Sequence, residues 1–184
     1  MCLGASSVSN QALLEYEVAQ KFSTGDNPNG YILEEVTIDI EDAPNNKNDF
    51  SLTLKKSGTN PGNTIATLQN PSNIGTGTQS FAAPSNTPLT ANTDYFIVAK
   101  YTGSGIPHLE RTDSDDEDSG KASGWDIDDR YRYKTTSGNS WVAQSSGYAL
   151  KMAIKGSAAA LGIPDTPELK DLSLIHISEP TRTY

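Results

Sequence analysis

From Val18 to Lys155 the apolar residues recur with a period of two. Val36, Ile38 and Ile40 point one way with Thr37 and Asp39 between them, and Phe50, Leu52 and Leu54 alternate with Ser51, Thr53 and Lys55. Further on, Tyr148, Leu150, Met152 and Ile154 alternate with Ala149, Lys151, Ala153 and Lys155. Such alternation puts one face of a strand on a core and the other in water. Tyr31 and Leu33 have the opposite parity to Val36, and a bulge at Glu34-Glu35 would bring all five apolar residues to one face. The run Tyr95-Phe96-Ile97-Val98-Ala99 is apolar at every position, which predicts a central strand covered on both sides. Strands are also expected over Val18–Ser23, around Ile65 to Leu68, and over Gln79–Ala83, Asp94–Tyr101, His108–Thr112, Arg130–Thr135 and Ser140–Gln144.

Turn-forming clusters separate these runs, most densely Thr24-Gly25-Asp26-Asn27-Pro28-Asn29-Gly30 and Ser57-Gly58-Thr59-Asn60-Pro61-Gly62. Gln11 to Val18 admits one or two helical turns, without a convincing cap. The pattern as a whole predicts an all-β fold of about nine to ten strands, an antiparallel β-sandwich of jelly-roll or immunoglobulin-like kind. No internal repeat is visible. The sandwich is expected to span residues 18–156, after a ragged segment 1–17. Residues 157–171, with their small residues and Pro164 and Pro167, read as a linker and the start of a truncated next module.

Six segments, in order, resemble a family of extracellular repeat domains in bacterial surface proteins, related to those called choice-of-anchor R. They are AQKFSTG at Ala19–Gly25, GYILEEVTIDI at Gly30–Ile40, NPGNTIATLQNPSN at Asn60–Asn73, LTANTDYFIV at Leu89–Val98, EDSGKASGWDIDDRY at Glu117–Tyr131 and ALKMAIKG at Ala149–Gly156. The resemblance implies a non-catalytic sandwich module of a large multidomain secreted or cell-surface protein, with a spacing or adhesive role and neighbouring sandwich domains as partners. It supplies no catalytic motif. Pro167–Leu172 resembles the opening of a cadherin-like or fibronectin-like sandwich. Leu172–Arg182, and with it the tail 172–184, is similar to the in-frame translation of a sequencing adapter, as a short metagenomic read would leave it. His176 then carries no function.

Charge narrows the partners. The 184 residues hold 23 Asp and Glu against 14 Lys and Arg, a formal charge of −9. A surface of that sign repels phosphate backbones and anionic lipid, so nucleic-acid binding and membrane insertion are not expected. A single cysteine, Cys2, excludes an intramolecular disulfide. The module is expected to be monomeric and extracellular.

Two constellations could carry chemistry. Asp113, Asp115, Asp116, Glu117 and Asp118 fall within six positions and repel one another unless solvated or bridged, and calcium is the cation such an oxygen-rich loop would take. The spacing is not that of an EF-hand. Asp126, Asp128 and Asp129 lie near in sequence, and Glu41 with Asp42 forms a second acidic pair. The other constellation is aromatic: Tyr131, Tyr133 and Trp141 could line a carbohydrate-binding face, which makes a sugar-binding module appended to a secreted enzyme the alternative function. Trp125 is expected in the core, and Arg130 and Arg132 are expected to pair with the acidic loop. His108 has no metal-binding or triad partner at a recognisable spacing. Gly75-Thr76-Gly77 precedes a strand, not a helix, and so is no phosphate loop.

Overall fold

The computed structural model describes residues 2–4, 10–13, 17–104, 107–112, 122–134, 140–144 and 147–160. Thirteen strands follow in chain order: β1 Cys2–Gly4, β2 Asn10–Leu13, β3 Glu17–Ser23, β4 Tyr31–Asp42, β5 Phe50–Ser57, β6 Pro61–Thr67, β7 Gly77–Leu89, β8 Asp94–Tyr101, β9 His108–Thr112, β10 Asp126–Lys134, β11 Val142–Ala143, β12 Ala149–Leu150 and β13 Met152–Ala158. Among the described residues the helical content is one 3₁₀ turn, Lys47–Asp49, capped by the Asn46 side chain. The strands form two antiparallel sheets packed as a sandwich. One sheet runs β1-β13-β4-β9-β12, with β7 paired to β4 and β2 paired to β9; the other runs β11-β10-β3-β8-β5-β6. The expected class holds, with more strands than the alternation suggested. Part of the surplus comes from the N-terminal segment, where Asn10–Leu13 pairs with β9 and Glu17 already belongs to β3, so the described residues of the span read as helical turns are strand instead.

Alternation accounts for most of the core. Tyr31, Leu33, Val36, Ile38 and Ile40 are all buried, and β4 shifts register against both neighbours at Glu34. The single bulged residue reverses parity midway along the strand, so both halves of β4 face the other sheet. Phe50, Leu52 and Leu54 from β5 and Leu150, Met152 and Ile154 from β12 and β13 join the same cluster. Trp125 is buried as expected, stacked parallel to Phe22 at 6.1 Å and edge-on to Tyr31 at 4.9 Å. Prolines fall where a missing N–H does least harm: Pro61 starts β6, the last strand of its sheet, and Pro84 and Pro88 lie in β7, whose one strand partner among the described residues is β4.

Strand β8 lies between β3 and β5, and its residues from Tyr95 to Ala99 are buried on both sides. Tyr95, Ile97 and Ala99 face the main core. Phe96 and Val98 face outward and, with Ala19, form a second small cluster against which Trp141 packs.

Gln20 ties the two sheets together. It is fully buried on the inner face of β3, its Oε1 accepts from Leu150 N–H at 2.9 Å in the opposite sheet, and its Nε2 donates to the Asp128 carbonyl at 2.7 Å. Its amide supplies both a donor and an acceptor without charge, on separate atoms that reach separate strands.

Candidate functional site

Two places on the sandwich gather polar and aromatic groups. The first is the outer face of the six-stranded sheet. Register aligns Arg132 with Ala19, Ala19 with Val98 and Val98 with Thr53; in the next row Lys134 meets Glu17, and Glu17 meets Lys100. Phe96 lies between Lys21 and Lys55. Trp141 rests on the apolar patch, with the Lys134 ammonium 4.8 Å from its ring centre, and the Arg132 guanidinium lies 5.8 Å from the Phe96 ring. The β5–β6 hairpin brings Asn60 to Arg132, Oδ1 to Nη1 at 3.5 Å. Glu17 is shared by Lys100 at 3.3 Å and Lys134 at 3.7 Å. Lys21 sits between Asp128 at 3.1 Å and Asp94 at 3.6 Å. Burial of its ammonium is outweighed by the Asp128 hydrogen bond and the nearby charges, so its pKa is raised above 10.5.

The second place is a cleft of about 210 Å³ where β4 ends and β8 leads toward β9, lined by Asp42, Ala43, Pro44, Asn45, Tyr101, Ser104 and Pro107. Tyr101 Oη and Asn45 Nδ2 both donate to the Ser104 carbonyl, each at 2.9 Å, which fixes the loop. At the rim His108 Nδ1 pairs with the Asp42 carboxylate. The two are 66 positions apart, and they meet because β4 and β9 pair at this point. Sequence spacing carried no signal for this pair.

The aromatic residues expected to share one face are divided by the sheet. Tyr131 is buried in the main core, and Tyr133 packs beside it with ring centres 6.5 Å apart, both on the inner side of β10. Trp141 stands on the outer side. Alternation showed that the two tyrosines face the same way, but not which way.

The acidic run Asp113, Asp115, Asp116, Glu117 and Asp118 lies outside the described residues. Nearby, Asp128 is taken by Lys21, and Asp129 by Arg130 at 3.1 Å. The Arg130 hydrogen bond is the main reason the Asp129 carboxyl is held below its ordinary value of 3.8. Among the described residues no three His, Cys, Asp or Glu side chains stand close enough to hold a metal ion.

Sequence reasoning also missed a cluster on the seven-stranded sheet. Lys151, in the gap between β12 and β13, reaches Asp39 of β4 at 2.6 Å and Glu110 of β9 at 3.0 Å. Its backbone bonds the same two residues, donating to the Glu110 carbonyl and accepting from Asp39 N–H. The Asp39 hydrogen bond, followed by that of Glu110, raises the Lys151 pKa above 10.5. The amine is thus held as an ammonium, which braces strands and has no lone pair for nucleophilic attack. No family model, curated protein or solved structure matches this chain.

Proposed function

We propose that this chain is a non-catalytic, extracellular β-sandwich module of a large multidomain bacterial surface or secreted protein, with a spacing or adhesive role. One observation carries the reading: five of the segments that resemble the extracellular repeat family supply central strands of both sheets. Ala19–Gly25 and Leu89–Val98 fall on β3 and β8, Gly30–Ile40 on β4, the end of Glu117–Tyr131 on β10, and Ala149–Gly156 on β12 and β13. The likeness therefore lies in the frame of the sandwich. The charged clusters support the same reading, since Lys21 and Glu17 each join residues of three adjacent strands and Lys151 joins β4 to β9. Neighbouring sandwich domains and surface glycans or proteins are the partners this role implies.

The test is turnover by the purified 184-residue chain of glycoside, ester and peptide reporter substrates, with and without calcium. No turnover above buffer is expected. Heat-labile turnover that disappears in His108→Ala would overturn the reading and move attention to the cleft.

A further inference from the structure

One half of the outer face of the six-stranded sheet has a sign opposite to that of the molecule. Around Trp141 the register gathers Lys100, Arg132 and Lys134, with Lys55 across Phe96 at the border of this half, against one carboxylate among the described residues, Glu17, in a chain of formal charge −9. Glu17 is divided between two of these cations, and its side chain is only 15% exposed. The other end of the face is different, because there Lys21 is neutralised by Asp94 and Asp128. The excess positive charge thus lies mainly on the rows of Lys134, Lys100 and Arg132, beside the partly exposed indole and the Asn60 amide, with Lys55 at their border.

We propose that this half of the face docks a carboxylated polysaccharide, with a sugar ring against Trp141 and its carboxylates against Arg132, Lys134, Lys100 and Lys55. Three features favour this occupant. An aromatic ring among hydrogen-bonding groups suits the apolar face and polar rim of a pyranose. Lys134 and Lys100 approach Glu17 from strands two spacings apart, about 10 Å at the backbone, so a carboxylate arriving at the face meets two ammoniums that share one counter-ion. The net positive charge of this half, in a molecule of formal charge −9, favours an anionic glycan over a neutral one. The guanidinium adds planar donors that match a carboxylate fork. The inference goes beyond the module reading and stands or falls whatever the chain's cellular location.

Affinity electrophoresis of the 184-residue chain would test it, using polygalacturonate, its fully methyl-esterified form and a single-stranded oligonucleotide as probes. Retardation is expected with polygalacturonate, weakening as salt rises, and not with the neutral ester. Lys55→Glu, which leaves the apolar patch covered, is expected to weaken binding about tenfold, and Arg132→Gln with Lys134→Gln to abolish it. An unchanged melting midpoint and near-UV spectrum would show each variant folded. Three results would each overturn the proposal: no retardation by polygalacturonate, equal retardation by the oligonucleotide, or undiminished binding in a folded Lys55→Glu protein. Binding lost together with the fold in the double variant leaves Lys55→Glu to decide.

Discussion

Replacing Gln20 with leucine keeps roughly the volume of the side chain and removes its bonds to β12 and β10. Leu150 N–H and the Asp128 carbonyl would then be left without their side-chain partner. A buried polar group without its bond costs about 1–3 kcal/mol, so Gln20→Leu should lose about 2–4 kcal/mol, read as a lower urea midpoint at unchanged slope. A loss below about 0.5 kcal/mol would mean the sheets do not need this tie. Lys151 makes a different prediction, because its pKa is raised. The stability it contributes is complete below the ordinary 10.5 and is lost as pH rises through the higher folded value. The midpoint difference between the wild-type protein and Lys151→Met should therefore be constant at neutral pH and shrink in alkali; a difference that persists unchanged there would refute the ion brace. Neither residue could be singled out from the sequence. A glutamine at an inward position reads as an exception to alternation, and a lysine at an outward one reads as ordinary surface. Their partners lie 130 and 41 or more positions away.

Strand β4 shows where local pattern suffices. Its change of parity at Glu34 is visible in the order of residues alone, because only a bulge lets Tyr31 and Val36 share a face. Deleting Glu34 should therefore be tolerated, because it leaves Tyr31, Leu33, Val36, Ile38 and Ile40 in unbroken alternation and makes the pairs Leu33–Gly156 and Glu35–Lys155 consecutive in the ladder. Glu34→Ala removes an exposed ion pair with Lys155 at 3.7 Å and should stay within about 0.5 kcal/mol of wild type. Deleting Thr37 instead turns Ile38 and Ile40 away from the core and should abolish the cooperative unfolding transition. A folded Thr37 deletion variant would show that β4 can slip to a new register. Gly30 guards the entry to this strand: its φ of +72° is left-handed, and a Cβ there would press on the Leu89 carbonyl oxygen. Strand β10 was only half legible for the converse reason. Its alternation groups Tyr131 with Tyr133, but their inward direction is set by pairing with β3, which places Ile127 opposite Phe22 and, after a register shift that keeps parity, Tyr131 opposite Gln20. That pairing depends on β3, more than a hundred residues earlier in the chain.

At the scale of the whole molecule, both ends of the described chain leave from one place. Strand β1 pairs antiparallel with β13, Cys2 opposite Lys155 and Gly4 opposite Ala153, so the chain before Cys2 and the chain after Ala158 depart from the same end of the sandwich. The mechanical consequence follows from the geometry of ladder bonds, which lie across the strands. Pulling two strands from the same end loads these bonds one at a time, whereas pulling from opposite ends loads them together. Force applied at the two ends should thus peel β1 from β13 at low load, before the β13–β4 ladder, which runs from Met152–Ile38 to Ala158–Tyr31, is strained. Single-molecule extension between handles at position 2 and position 158 is the direct measurement. A small early step followed by the main unfolding event is expected, with forced unfolding governed by the barrier and not by equilibrium stability. Anchoring at position 57, at the end of β5 in the other sheet, and at position 158 changes the direction of load and should raise the first rupture force. One high-force event of equal size in both geometries would mean that β1 adds nothing separable to the sheet.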